Sequence, residues 1–128
     1  MKYNDLIPEL IVSDIEKSKH FYIDILGFQI EYERSEDKFV FLSLNEIQLM
    51  IEQGSKEELK NLSYPFGRGV NFSFGVDNVE EIYERFRSAG YPIKKELETR
   101  RFRVGDLIIT PMEFAVLDPD GYYIRITD

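Results

Sequence analysis

The chain has no cysteine, no tryptophan and a single histidine in 128 residues. Without cysteine there are no disulfides, no thiol nucleophile and no thiolate metal site. No apolar run approaches the ~20 residues that cross a bilayer, and the N-terminus lacks the basic and apolar regions of a secretory signal. Low-complexity stretches are absent, and hydrophobic residues make up 43% of the chain, enough for a core in one compact domain. Basic residues are few: sixteen against twenty-four acidic ones, a net charge of −8. That balance argues against nucleic acid and anionic membranes as partners and favours a cationic ligand. A cytoplasmic location is the default expectation.

What the chain does have is a repeat. Pro8-Glu9-Leu10-Ile11-Val12-Ser13-Asp14-Ile15-Glu16 is answered roughly 64 residues later by Phe72-Ser73-Phe74-Gly75-Val76-Asp77-Asn78-Val79-Glu80. Each segment is an apolar strand that breaks on small polar residues and starts an amphipathic helix. Ser13 with Glu16, and Asp77 with Glu80, have the spacing of a capping box. Gly27-Phe28 and Gly90-Tyr91 supply the left-handed helix stops. Two copies are too few for a solenoid; they read as paired units with a cavity between them.

After the first helix, Phe28 to Glu33 alternates apolar and polar, the period of a half-buried strand. Phe39 to Leu42 and Ile47 to Ile51 follow as strands, separated by Asn45 and Glu46. The second module runs the same way: a linking helix over 55–62, a loop at 64–69, a strand over 70–76, a helix over 79–89 and a strand over 92–98. A basic stretch and a turn near Gly105-Asp106 come next, then two strands joined by Asp118-Pro119-Asp120-Gly121. Proline fixes one position of that last turn and glycine permits positive φ at another. The expected fold is α+β, two βαβββ modules in tandem, each an open, mostly antiparallel curved sheet around a cleft. Module one covers 1–53, a linker 54–68 and module two 69–128.

The segments Val12-Ser13-Asp14, Phe21-Tyr22, Leu26-Gly27-Phe28, Gly75-Val76-Asp77-Asn78 and Glu113 through Tyr122, in that order, resemble the vicinal oxygen chelate superfamily. That superfamily includes glyoxalase I, extradiol dioxygenases, fosfomycin-resistance enzymes and bleomycin-resistance proteins. The resemblance implies a divalent metal held by four side chains, two per module, on first and last strands. Carried over, those positions fall on Ile7, near Leu49 (with Gln48 and Glu52 close by), on Asn71 and on Arg125. Isoleucine and leucine cannot ligate a hard or borderline cation, and arginine repels one. His20 matches no ligand position. The expectation is therefore no metal and no other cofactor, and no catalytic residue.

The metal-free branch of the superfamily, typified by bleomycin-resistance proteins, resembles this chain in the segment Glu113 to Pro119. The resemblance implies an acidic homodimer that sequesters a cationic drug without catalysis. Those clefts often stack tryptophan on the drug, and here tyrosine and phenylalanine would have to serve. The candidate ligand-binding residues are Glu9, Tyr64, Phe66, Asn71, Phe114, Tyr123 and Arg125. Tyr123 leads because it flanks Arg125 and carries a polar end. Phe114, Val116, Tyr123 and Arg125 are expected on one face, with Glu113 turned away from Arg125. Glu9 is expected to face the cleft, where it attracts a cation, acts as a base or pairs with Arg125. Arg100, Arg101 and Arg103 form either an anion-binding rim or a basic stripe serving acidic neighbours or a dimer contact. Two other functions stay open: a superfamily enzyme with displaced metal ligands or metal-free acid–base chemistry, and a regulatory, partner-binding protein.

Overall fold

The computed structural model describes residues 2–128 and divides the chain into two compact units, Met1–Phe66 and Gly67–Asp128. In unit 1 the elements are β1 (Glu9–Val12), α1 (Ile15–Lys19, continued as π-helical turns over His20–Ile25), β2 (Gln29–Arg34), β3 (Phe39–Leu44), β4 (Ile47–Gln53) and the short α2 (Lys56–Lys60). Unit 2 holds β5 (Asn71–Gly75), α3 (Val79–Ser88), β6 (Lys95–Thr99), β7 (Phe102–Val104), β8 (Leu107–Ile109), β9 (Met112–Leu117) and β10 (Tyr123–Thr127). Each unit contains one open four-stranded sheet, in the orders β1-β4-β3-β2 and β5-β10-β9-β6. The first strand of each runs parallel to the last, and the remaining pairs are antiparallel. This is the α+β architecture of two βαβββ modules.

Strand alternation sorts each sheet into a helix side and a free side. In unit 2, Ile124 lies opposite Val116 and Ile126 opposite Phe114, all buried. Phe114 meets Tyr83 and Phe86 of α3 at ring distances of 5.2 and 5.9 Å. Buried Val79, Ile82, Tyr83 and Phe86 recur at helical spacing, which is why α3 forms and which way it faces. In unit 1, Leu10, Val12, Val40, Leu42, Leu49 and Ile51 form the corresponding buried set, with Phe21, Tyr22, Ile25 and Leu26 from the helical segment. Burying such side chains is worth about 1.5–3 kcal/mol each, so the helix side holds each unit together.

The helix ends depart from expectation by one residue. Asp14, not Ser13, accepts from the backbone N–H groups of Glu16 and Lys17. Ile15 N–H donates instead to the Gln53 side chain at 3.0 Å. At α3 the N-cap is Asn78 rather than Asp77, and its amide donates to Glu81. Among the described residues, the one complete capping box belongs to α2, between Ser55 and Glu58. Gly27 and Gly90 do sit at positive φ, 104° and 68°, ending their helices as glycine allows. Strand β6 begins at Lys95, leaving Pro92 and Ile93 outside. The stretch after it holds two strands, β7 and β8, where only a basic turn is legible in the sequence. Asp118 closes the last hairpin by accepting from the N–H groups of Asp120 and Tyr122 at 2.9 Å each.

Candidate functional site

The free side of the unit 2 sheet is polar. Registers β5–β10 and β10–β9 put Asn71 beside Tyr123 beside Leu117, and Ser73 beside Arg125 beside Ala115. Glu113 and Thr127 form the next row. On β6, Lys95 aligns with Ala115 and Glu98 with Glu113. Part of this face walls a cavity of about 160 Å³, lined by Lys95, Glu96, Glu98, Arg100, Phe102, Glu113, Ala115, Tyr123 and Arg125 and bordered by Phe114.

An ionic ladder organises that cavity. Arg125 Nε stands 3.0 Å from Glu113 Oε2, and Arg100 Nε 3.9 Å from Glu113 Oε1. Arg100 also pairs with Glu98 at 3.0 Å, and its guanidinium lies 5.4 Å from the Phe102 ring centre. Glu98 and Glu113 are cross-strand neighbours, a like-charge placement that destabilises a sheet unless compensated. The two arginines compensate it. Glu113 is 7% exposed, so its carboxylate is fixed among these donors rather than dissolved in water.

Two expectations are corrected here. Phe114 does not share a face with Tyr123 and Arg125; it lies on the helix side, 1% exposed, because it is registered with Ile126. Glu113 faces Arg125 rather than turning away, since it is one alternation step from Ala115, Arg125's own register partner. Val116 likewise belongs to the helix side. Asn71, Tyr123 and Arg125 are brought together as expected, and Phe72 and Phe74 point to the opposite side from Asn71 and Ser73. Sequence reasoning missed Lys95, Glu98 and the role of Arg100. The hairpin turn at Asp118-Pro119-Asp120-Gly121 was the available signal for Glu113 alone, because counting outward from it registers Arg125 with Ala115 and Glu113 with Thr127, on one face.

The free side of unit 1 is different. Glu9 is registered with Met50, Ile11 with Glu52, Phe39 with Glu52 and Phe41 with Met50, so all six share one face. Leu49, the expected ligand position, lies on the other side, 1% exposed. Met50 stands to Glu9 as Arg125 stands to Ser73, its counterpart in the repeat. Aromatic rings fill this face: Tyr32 stacks on Phe41 at 5.3 Å, Tyr3 meets Phe41 edge-on at 5.5 Å, and the Arg34 guanidinium sits 4.1 Å from the Phe39 ring centre. Glu9 and Glu52 are diagonal neighbours on this face, across the β1–β4 pairing. Burial first, then the Glu9 carboxyl, raises the pKa of Glu52 above its ordinary value. Arg125 thus takes its carboxylate from Glu113, while Glu9 meets a second carboxyl group. At the sheet's other end, Ser43 Oγ donates to Glu31 at 2.5 Å and Gln29 Nε2 at 2.9 Å, holding Glu31 below the usual carboxylate range. Phe66 is buried at the end of unit 1, and Tyr64 is 61% exposed.

The residues at the four family metal positions do not suit a divalent cation. In unit 1 they are Ile7 and Met50, in unit 2 Asn71 and Arg125. The guanidinium at the last-strand position has no lone pair to offer a cation. Among the described residues, no three His, Cys, Asp or Glu side chains converge as a metal site would require.

Comparison with known proteins agrees with this architecture. Residues 6–126 match the family model described as the Glyoxalase/Bleomycin resistance protein/Dioxygenase superfamily. The chain is 30% identical to the bleomycin resistance protein of Geobacillus stearothermophilus, over 92% of this chain and 91% of that one. A protein of the same description from Staphylococcus aureus (strain MRSA252) matches to the same extent. Among solved structures, TioX from Micromonospora sp. ML1 superposes with a TM-score of 0.73 at 17% identity, covering 98% of each chain. A glyoxalase/bleomycin resistance protein/dioxygenase from Alicyclobacillus acidocaldarius gives 0.71 at 17% identity, covering 97% of this chain and 89% of the other. These structures share the fold. By the extent of the family match, the chain belongs to the glyoxalase/bleomycin resistance protein/dioxygenase superfamily.

Proposed function

We propose that this protein is a metal-free, non-catalytic small-molecule binder that works as a homodimer and sequesters a cationic or aromatic antibiotic-like ligand. The observation that carries the reading is the Arg125–Glu113 ion pair at 3.0 Å, at a strand position where the superfamily resemblance implies a metal ligand. The relatives at 30% identity, named for bleomycin resistance, support the same reading. A cavity of about 160 Å³ is smaller than the roughly 300–1,000 Å³ of drug-sized pockets. It accepts a ring or side group of a larger ligand, with Tyr123 and Phe102 as contact surface and Asn71 alongside. Its charged lining is balanced, three basic against three acidic residues. The −8 field of the chain then favours a cation. Arg125 does not invite an anion because Glu113 already neutralises it.

Calorimetric titration with a bleomycin-type drug and, separately, with benzoate tests this reading. Drug binding that persists after exhaustive chelation supports it. Binding of benzoate alone, abolished by Arg125→Ala, overturns it, as does one tightly held metal per chain in elemental analysis.

A second reading, metal-free acid–base catalysis, draws on the Glu9–Glu52 pair, where one carboxyl is held protonated to higher pH beside aromatic rings. Under that reading Glu52→Gln removes turnover of a bound substrate and leaves its affinity unchanged. Under sequestration, the drug is recovered intact from wild-type protein.

A further inference from the structure

The ten residues from 101 to 110 are all exposed. They contain β7 and β8, which pair with one another and with no other strand among the described residues. The β6–β9 pairing runs directly into them, with Arg100 N–H donating to the Pro111 carbonyl at 2.8 Å. The segment is thus an arm, the far end of a long hairpin whose near end is an edge of the unit 2 sheet.

Register gives the arm two unlike faces. Phe102 is opposite Ile109 and Val104 opposite Leu107, so one face is wholly apolar, while Arg103 and Ile108 lie on the other. Phe102, Val104, Leu107, Ile108 and Ile109 are 40%, 54%, 69%, 48% and 44% exposed. A two-stranded ribbon is marginal in water by itself, and a contiguous apolar face of this kind marks a contact surface. The arm also carries the opposite charge to the rest of the protein. Residues 100–111 hold three arginines and one aspartate, a net +2; the remaining thirteen basic and twenty-three acidic residues sum to −10.

We propose that β7–β8 is an exchange arm that docks on the acidic body of a second copy of this chain, the partner's arm docking in return. The inference rests on the homodimer reading above and supplies its contact surface. Charge selects the occupant: arm against arm sets +2 against +2, whereas arm against body sets +2 against −10. Reciprocal docking also closes the assembly under a two-fold axis and leaves no free arm to propagate a fibre. Arg100 and Phe102, at the root of the arm, line the unit 2 cavity, so dimer formation and ligand binding are coupled.

The absence of cysteine permits a direct test. Leu107→Cys is labelled with benzophenone maleimide, isotopically light and heavy chains are mixed, and crosslinked peptides are identified after irradiation. The expected products join position 107 of one chain to peptides outside residues 100–111 of the other. Arm-to-arm products, or products within single chains only, overturn the proposal. In sedimentation at micromolar concentration, wild type runs at twice the 15.1 kDa chain mass. The double variant Val104→Asp/Leu107→Asp weakens the dimer by about 100-fold or more with an unchanged circular dichroism spectrum. Arg101→Glu/Arg103→Glu weakens it by roughly tenfold at low salt, and high salt has the same effect on wild type. A monomeric wild type removes both the dimer and the arm. A dimer that survives both double variants removes the arm alone.

Discussion

At matching places on the free sides of the two sheets, unit 1 has Phe41 beside Met50 and unit 2 has Ala115 beside Arg125. Phe41 is fully buried under Tyr32 and Tyr3, so that face of unit 1 is an aromatic floor with two carboxyl groups at its edge. In unit 2 the same face is an ionic ladder around a small cavity. The helix sides, by contrast, remain alike: Leu10 answers Phe74, Val12 answers Val76, Ile15 answers Val79, and all six are buried. A helix must cover apolar surface in both copies, which constrains one face of each sheet. The other face is free to change chemistry without loss of the backbone register, and it is there that the copies have diverged.

The strongest way to break this contrast is to attack the conserved side. Phe114→Ala leaves a cavity beneath α3 and costs about 3–5 kcal/mol in urea unfolding. Phe114 borders the cavity, but its ring packs on Tyr83 and Phe86 of α3, so ligand affinity of the folded variant stays within about twofold of wild type. A large affinity loss at unchanged fold would return Phe114 to the binding face.

Next in size is Arg125→Met, which copies the unit 1 residue into unit 2. Glu113 loses its 3.0 Å partner and keeps only Arg100 at 3.9 Å. Since Arg125 is partly exposed, the expected cost is about 1–2 kcal/mol, below that of a fully buried pair. A double-mutant cycle with Glu113→Gln isolates the coupling; a value near zero would reduce the ladder to surface decoration.

Glu52→Gln has a smaller effect with a definite pH signature. A folded-state pKa raised above the unfolded value means that the native protein holds the proton more tightly. That stabilisation is fully present below the unfolded carboxyl value of about 4.3 and is lost as pH rises through the folded value. Glu52→Gln should therefore raise the melting temperature at neutral pH and lose this advantage by about pH 4. A variant no more stable at neutral pH than wild type would contradict the carboxyl pairing.

The smallest change is Ser43→Ala. Glu31, deprived of its 2.5 Å donor, titrates at higher pH, measurable from its side-chain carbon shifts in NMR. The stability that Glu31 contributes appears above the unfolded carboxyl value and fades as pH falls through the folded one. The variant should show less of that fading.

The repeat, both glycine stops and the strand–helix order were legible because each rests on local chemistry: alternation, helical spacing and positive φ. The cap of α1 is displaced by one residue because Gln53, distant in sequence, supplies the acceptor for Ile15, so Asp14 can serve the next two N–H groups. The side that Phe114 faces is not legible without register, since one step along a strand exchanges faces. Arg100 was visible as one of a basic cluster, but its tie to Glu98 and Glu113 depends on β6–β9 pairing, which is non-local. Strands β7 and β8 escaped notice because three-residue strands around Gly105 leave too short a pattern to read.

The bond from Ile15 to Gln53 has a further consequence, for the order of events at synthesis. The opening turn of α1 draws its acceptor from the end of β4, so that turn cannot be completed on a nascent chain until β4 has emerged from the ribosome. Before that, Asp14 caps the helix start. In the finished protein the same bond makes the Ile15 amide a reporter of the entire unit: its proton exchanges with solvent when β4 detaches, not when a helix end frays.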